Sequence, residues 1–379
     1  MTHFSNSNLS ETATSMENYS LPNINYTTNE RDLHPITKYV QLLIIPILCT
    51  IGLIGNTVST GIFMHKSLRN NSCSIFLAVR GLSDNGFLTT LLIIWISRAF
   101  RLQLGSTHGA CRIIIFLTYV CGFISVWMVV FVTAENYIRI CRPFVVNRVC
   151  TPTKAKLIVA VIGLIAVCLY NFPFWAMTPS TCSVYPDLHN IIQGLVYSDT
   201  VLTLAIPFVC LFLLMTAIVC DLVKSYKRRK HLRAPNARKN RNPMATVTKM
   251  LFAVTLSFFV LNLPSHVNRL RLMILPLIGV QSGNEFSVLD QAVEQITLSI
   301  YYLSLAFNIV VYIAFGSRFR CVFIDVFCSR CKDHMLCLTS NNNDKQLATQ
   351  STSVMLTNQG FEVVPMQQYK DQCDVSNEC

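Results

Sequence analysis

Hydrophobic and polar positions are separated along this chain on the scale of whole helices. A polar stretch of thirty-four residues comes first, and seven long apolar segments follow it. Each segment is near or above the ~20 residues that a helix needs to cross a bilayer core of about 30 Å. The pattern predicts seven membrane-spanning helices, at Tyr39–Met64, Ile75–Ile96, Ile113–Val132, Leu157–Met177, Ile191–Val223, Met250–Leu275 and Ile296–Phe315.

Composition supports a membrane protein. Of the 379 residues, 52% are hydrophobic and only 13% are charged, whereas a soluble globular chain has about a quarter charged residues. This excludes a disordered chain and argues against a cytosolic enzyme. The net charge of +12 is typical either of a nucleic-acid-binding protein or of a membrane protein with basic cytoplasmic loops.

The position of the basic residues decides between these two explanations. Lys and Arg are dense in the connections after the first, third and fifth segments, and none lies between Met177 and Ile191. Because basic residues accumulate on the cytoplasmic side, this predicts an extracellular N-terminus and a cytoplasmic C-terminus. Topology explains most of the charge, and we expect no nucleic-acid partner.

Two further features agree with this orientation. Three glycosylation sequons, at Asn8, Asn18 and Asn25, lie in the predicted outer tail, although a single sequon is a weak signal. Of the sixteen cysteines, only Cys111 and Cys182 fall in predicted outer loops or at their helix ends, where oxidation can occur. A bond between them would tie the top of the third helix to the loop before the fifth.

The order of landmarks along the segments resembles that of the rhodopsin-like (class A) G-protein-coupled receptors, from about Tyr39 to Arg320. The residues that carry the resemblance are Gly55-Asn56, Leu82-Ser83-Asp84, Cys111, Glu135-Asn136-Tyr137, Cys141-Arg142-Pro143-Phe144, Pro173, Cys182, Pro207, Phe258, Pro264, Asn308 to Tyr312 and Phe315 to Arg320. Each is common alone, but their order and spacing together are specific.

The resemblance implies an all-α membrane protein: a seven-transmembrane helix bundle with a short amphipathic eighth helix. The domains expected are a glycosylated extracellular tail at residues 1–38, the receptor domain at 39–315, the eighth helix at 316–330 and a disordered cytoplasmic tail at 331–379.

Several positions depart from the family pattern, and the resemblance is to a divergent, invertebrate-type receptor for a neuropeptide or another peptide. Asn136 stands where the family has its signature Arg, and Asn262 stands where it has an aromatic toggle. Ile309 replaces the proline expected after Asn308, and Met215 replaces a tyrosine of the fifth helix.

An aspartate within an apolar segment is costly and is a functional candidate for that reason. The resemblance implies a sodium site, with sodium as an allosteric modulator and no other cofactor; its ligands would be Asp84, Ser125, Ser304 and Asn308. A water-filled polar network is the alternative. Arg80, four residues before Asp84, either pairs with it and competes with sodium or extends toward the headgroups.

The resemblance also implies a set of residues for G-protein coupling and for the activation switch. They are Glu135, Asn136, Tyr137, Arg139, Pro207, Phe258, Pro264 and Tyr312. In the family, the signature Arg pairs with the acidic residue before it and holds the inactive state; Asn136 cannot do this for Glu135. We hypothesise that Arg139 takes over part of this lock, because it lies four residues after Glu135, in the favourable order. Alternatively, Arg139 is only one of the positive-inside residues.

Family analogy places the ligand site in the outer half of the bundle. Its expected residues are Trp95, Arg98, Thr118, Tyr119, Gly122, Asp199, Asn262, His266, Arg269, Glu294, Tyr301 and Tyr302. Receptors for biogenic amines carry Asp where this chain has Thr118, which disfavours a small monoamine. Charges of both signs with aromatics suit a zwitterionic or amidated peptide, although aromatic residues at helical spacing are more often packing. A pH-sensing role for His266 is a minority interpretation.

Cysteines follow the expected eighth helix at Cys321, Cys328 and Cys331. We predict palmitoylation there, with ordinary reduced cysteine as the alternative. The Ser/Thr-rich stretch from Thr349 to Thr357 suits phosphorylation and arrestin recruitment.

No catalytic motif occurs in the sequence, so an enzyme is not expected. The predicted function is a multi-pass plasma-membrane receptor for an extracellular peptide or neuropeptide that signals to heterotrimeric G proteins and contacts membrane lipid. The alternatives are a chemosensory receptor and a non-signalling seven-helix binder, the latter motivated by Asn136 and Asn262. A secondary transporter is a distant alternative, because no internal repeat is visible.

Overall fold

The computed structural model describes residues 28–100, 109–178, 182–231, 243–277 and 288–327. Regular structure in these ranges is helical, apart from one isolated antiparallel bridge between Met177 and Val184. Within them, six helical stretches are long and apolar enough to cross a membrane, and a bent pair of helices supplies a seventh. The prediction of a seven-helix bundle is confirmed.

We number the spans in chain order. Their bounds are Thr28–Phe63 for the first, Ser72–Ala99 for the second, Ala110–Cys141 for the third, Pro152–Leu169 with Pro173–Ala176 for the fourth, His189–Thr200 with Val201–Ala205 and Ile206–His231 for the fifth, Pro243–Leu277 for the sixth, and Val288–Ala306 with Asn308–Phe315 for the seventh. The first helix begins before the predicted Tyr39 because hydrophobicity marks only the part that crosses the bilayer, while a helix can continue into polar sequence.

The fourth span covers Pro152–Ala176, close to the predicted Leu157–Met177, but its helix is interrupted near the end. Its helix ends at Leu169, and Pro173–Ala176 forms a separate helical turn. Pro173 lies at the start of that turn, where its missing N–H costs no hydrogen bond. The break places Tyr170 and Phe172 as buried side chains between the two pieces.

The fifth span contains a π-helical turn, Val201–Ala205, just before Pro207. Proline in a helix cannot donate to the carbonyl four residues earlier, and its ring crowds that carbonyl. A wider turn on the N-terminal side relieves both problems, and such turns are frequent at functional sites.

The seventh span bends by 46° between Ala306 and Asn308, although Ile309 replaces the family proline. The Leu305 carbonyl accepts hydrogen bonds from the side-chain amides of Asn56 (3.1 Å) and Asn308 (3.2 Å). Side chains that enter a helix ladder are a recognised cause of bends. Two asparagines therefore support here the bend that proline would otherwise impose.

Close packing joins the first span to its neighbours. A Cβ on Gly81 would lie 2.5 Å from the Thr60 hydroxyl oxygen and 3.3 Å from the Asn56 carbonyl oxygen. Only glycine allows the first and second spans to approach this closely.

The predicted eighth helix is confirmed at Ser317–Phe327. Phe319 and Val322 are buried, and the Phe319 ring packs against Phe63 (5.2 Å) and Tyr312 (5.5 Å). Arg320 donates to the carbonyls of Ile313 (2.8 Å) and Ala314 (2.9 Å), which caps the seventh span. This end of the bundle is called the helix-8 end below, and the opposite end is called the disulfide end.

Candidate ligand pocket and buried charge clusters

A disulfide and an arginine hold the loop at the disulfide end. Cys111, at the start of the third span, is bonded to Cys182, with their Cα atoms 6.2 Å apart. Arg112 beside it donates to the carbonyls of Phe174 (3.3 Å) and Met177. The predicted bond is therefore present, and the neighbouring Arg112, which the sequence did not single out, strengthens the same junction.

Asp199 on the fifth span is held by an aromatic pair. The Tyr170 hydroxyl donates to Asp199 Oδ1 at 2.6 Å, and the Tyr170 ring stacks on Tyr119 with centroids 5.4 Å apart. Tyr119, Tyr170, Phe172 and Asp199 line a crevice between the third, fourth and fifth spans. A carboxylate thus lies beside a large aromatic surface.

Arg269 on the sixth span faces the same region from the other side. Its guanidinium lies over the Tyr301 ring, 5.9 Å from the centroid, in a cation–π contact. Arg269 is exposed, whereas the carboxylates of Asp199 on the fifth span and Glu294 on the seventh span are half-buried.

His266 lies one turn before Arg269 and is buried. Its ring contacts Phe208 edge-on, with centroids 5.5 Å apart. Its Nδ1 has no hydrogen-bond partner among the residues that the structure describes. An imidazole nitrogen in this position is available to a ligand or a water molecule.

The other predicted ligand residues have mixed surroundings. Thr118 is occupied by hydrogen bonds to Thr90 (2.9 Å) and the Ile114 carbonyl (2.7 Å). Tyr302 is buried, Trp95 is half-buried and Arg98 is exposed. Gly122 faces the Phe87 ring, and Asn262 is fully buried deeper in the bundle. The structure therefore places Asp199 with Tyr119 and Tyr170, and Arg269 with Tyr301, while Thr118 and Asn262 make contacts between spans.

Asp84 lies at the centre of the bundle and has no exposed surface. It accepts hydrogen bonds from Ser125 and from the Asn308 side-chain amide (2.8 Å). Arg80 Nε lies 3.7 Å from Asp84 Oδ2, and the Arg80 side chain is only 1% exposed. Arg80 therefore pairs with Asp84 and does not extend toward the headgroups.

This arrangement does not fit a sodium ion. A hard cation needs oxygen ligands, but Asn308 turns its NH₂ group toward Asp84. Ser304 contacts Asn262 Oδ1 (3.2 Å) and the Tyr301 carbonyl (2.8 Å). The Arg80 guanidinium already supplies the positive charge beside Asp84.

A second buried carboxylate, Glu135, lies toward the helix-8 end of the third span. Ser72 and Cys73 donate to it from the start of the second span. Arg139 Nη2 lies 3.5 Å from Glu135 Oε1 and 3.0 Å from Asn71 Oδ1. The structure thus places Arg139 where the hypothesis of a replacement lock requires it.

The neighbouring Asn136 has no exposed surface, and neither atom of its amide has a partner among the described residues. One turn earlier, the hydroxyls of Thr133 and Thr255 lie 2.8 Å apart and join the third span to the sixth.

Comparisons with known proteins agree with this geometry. The model of the 7 transmembrane receptor (rhodopsin family) matches residues 56–312. The chain belongs to this family.

Relatives of the receptor are distant. It is 25% identical to an FMRFamide receptor of Drosophila melanogaster over 78% of this chain and 55% of that protein. It is 23% identical to the human C-C chemokine receptor type 1 over 76% of this chain and 79% of that one. It is 25% identical to the mouse neuromedin-U receptor 1 over 72% of this chain and 69% of that protein.

Sequence reasoning missed several residues of this receptor's sites. Tyr170 contacts the predicted residue Asp199, and Asn71, Ser72 and Cys73 contact the predicted residues Arg139 and Glu135. In each case the two partners are far apart in the sequence. The available signal was their position at span ends, level with Asp199 and Glu135 respectively. Three predicted glycosylation sites, Asn8, Asn18 and Asn25, and two predicted lipidation sites, Cys328 and Cys331, lie outside the described residues.

Proposed function

We propose that this receptor binds a peptide at its disulfide end and signals through heterotrimeric G proteins from its helix-8 end. It would lie in the plasma membrane with its N-terminus outside, so that an extracellular peptide could reach the pocket at the disulfide end. The observation that carries the proposal is that Asp199 lines an aromatic crevice with Tyr119 and Tyr170, while Arg269 lies over the Tyr301 ring. Two curated relatives are named for peptides, FMRFamide and neuromedin-U.

The pocket chemistry favours a ligand with charges and amide groups. Asp199 and Glu294 suit a cationic side chain, and Arg269 offers a planar donor fork to a carbonyl or carboxylate oxygen. Tyr119, Tyr170 and Tyr301 provide surfaces for aromatic side chains. A short peptide presents all these groups together, whereas a monoamine lacks the acceptor for Arg269.

The test is a G-protein dissociation panel in transfected cells with a peptide library that includes amidated peptides such as FMRFamide. Arg269→Gln should reduce the potency of an active peptide by about tenfold or more, because one charge-assisted contact is lost. Arg271→Gln is the matched control, since Arg271 lies on the same helix and pairs with Asp290 at the surface. Equal potency of both variants and wild type would remove Arg269 from the pocket.

A non-signalling binder is the second candidate, and Asn136 is the observation that favours it. The family's signature Arg is absent there, and the buried amide has no partner in the described part of the chain. If labelled peptide binds with high affinity but no G protein dissociates, this second function replaces the first. Palmitoylation at Cys321 and arrestin recruitment by the tail belong to the signalling proposal and would be tested in the same cells.

A further inference from the structure

A buried arginine lies where the family resemblance would place a cation. Arg80 and Asp84 are one helical turn apart on the second span, and both are almost completely inaccessible to water. Taking an unpaired carboxylate or guanidinium out of water is very costly, so each needs the other's charge. Their separation of 3.7 Å provides it.

The rest of the Arg80 side chain is also held in place. Its guanidinium lies over the Phe258 ring of the sixth span, 5.5 Å from the centroid. It lies near enough to the Tyr312 hydroxyl of the seventh span to interact with it electrostatically. Arg80 therefore connects the second, sixth and seventh spans around Asp84.

The polar groups around Asp84 donate hydrogen bonds to its carboxylate and are not arranged around a metal. Ser125 and the Asn308 amide both donate to the carboxylate, and Ser304 is turned toward Asn262. A sodium ion would have to displace the guanidinium and rotate Asn308 to present its oxygen. Two positive charges beside one carboxylate would also repel each other strongly in this low-dielectric region.

We infer that the Arg80 guanidinium is a covalently attached counter-cation that occupies the sodium position and makes this receptor independent of sodium. The tether gives the site a permanent charge, since arginine stays protonated in proteins. Stability and ligand affinity then do not follow the sodium gradient across the membrane.

Sodium itself is the probe in the test. The thermal unfolding midpoint of the purified full-length receptor is measured in NaCl and in KCl at equal ionic strength. Wild type should give the same midpoint in both salts. Arg80→Met keeps the length of the side chain but removes its charge, so its midpoint should fall in KCl and recover by several degrees in NaCl.

Two further variants separate the effect of charge from the effect of side-chain length. Arg80→Lys keeps the charge and should remain insensitive to sodium. Asp84→Asn combined with Arg80→Met removes both charges; it should unfold at a higher temperature than Arg80→Met in KCl and show no sodium effect. If Arg80→Met alone is too unstable to purify, the inference is supported by a double variant that can be purified and by the absence of a sodium effect in wild type, Arg80→Lys and the double variant.

Two results would overturn it. One is a wild-type receptor that sodium stabilises and Asp84→Asn makes insensitive, which would mean that sodium binds beside Arg80. The other is an Arg80→Met variant that folds but does not respond to sodium, which would mean that the position cannot hold the ion. Neither result depends on the identity of the ligand or on G-protein coupling, so the proposed function is tested separately.

Discussion

Two arginine–carboxylate pairs with the same four-residue spacing lie on neighbouring spans of this receptor. Arg80 and Asp84 are 3.7 Å apart with side chains 1% and 0% exposed, and Arg139 and Glu135 are 3.5 Å apart with side chains 13% and 7% exposed. The sequence order is reversed: arginine comes first on the second span and glutamate comes first on the third. Equal spacing therefore does not give equal environments.

The difference lies mainly in what surrounds each arginine. Arg139 donates to Asn71 and reaches the surface, so it keeps polar partners if Glu135 is lost. Arg80 has the Phe258 ring beside it, and its Nε and Nη1 make no hydrogen bond within the described residues. Both carboxylates accept hydrogen bonds, but the outer arginine also donates to Asn71 and is partly exposed, whereas the inner arginine depends on the charge of Asp84.

The largest effect is expected for Asp84→Asn. The change leaves the Arg80 charge buried and uncompensated, and breaking one side of a buried pair costs about 3 kcal/mol or more. The free energy of unfolding, or the midpoint of thermal unfolding at fixed salt, measures the loss. Asp187→Asn is the control, because Asp187 is an exposed carboxylate at the disulfide end. A loss no larger than that of the control would show that Arg80 is not held as a buried charge.

The sequence predicts the spans and the two i,i+4 pairs, but it does not predict the surroundings of each pair, because these come from other helices. Seven apolar segments predicted the spans, and the i,i+4 spacing put Arg80 with Asp84 and Glu135 with Arg139. The spacing could not decide between pairing and extension of Arg80 toward water, because that depends on Phe258 and Tyr312 from other spans. Likewise, hydrophobicity predicted one continuous seventh helix but not its bend, since Asn56 supports that bend from the first span.

Residues that meet only through the fold were the least predictable. Tyr170 was not predicted as a partner of Asp199, because the break after Leu169 turns it inward. Cys73 was not predicted as a partner of Glu135, because the two lie on different spans. The sequence of a single helix predicts which of its residues share a face, but it does not predict which residues of other helices they contact.

Glu135→Gln should have a smaller effect than Asp84→Asn. Ser72 and Cys73 donate to different oxygens of Glu135, so the amide oxygen can replace one of these acceptors, while Arg139 keeps Asn71 and partial access to water. Replacing charge-assisted hydrogen bonds with neutral ones should cost about 1.5–3 kcal/mol. Thermal unfolding of both variants in the same detergent and salt measures the difference. Equal losses would mean that the two pairs are equally dependent on charge, and the contrast drawn above would be wrong.

Arg139→Ala should have the smallest effect on stability and a larger one on signalling. Its pair with Glu135 is mostly buried, but the carboxylate keeps its hydrogen bonds from Ser72 and Cys73 when the arginine is removed, so the loss should stay below the ~3 kcal/mol expected for Asp84→Asn. Because Asn136 cannot contact Glu135 as the family arginine would, Arg139 is the cation that holds Glu135 and Asn71 together at the helix-8 end. Its removal should raise ligand-free signalling in the G-protein dissociation assay, at equal surface expression. Arg142→Ala, an exposed change just beyond the same helix, should leave signalling unchanged; equal basal activity in both variants would reduce Arg139 to one of the topological charges of the loop.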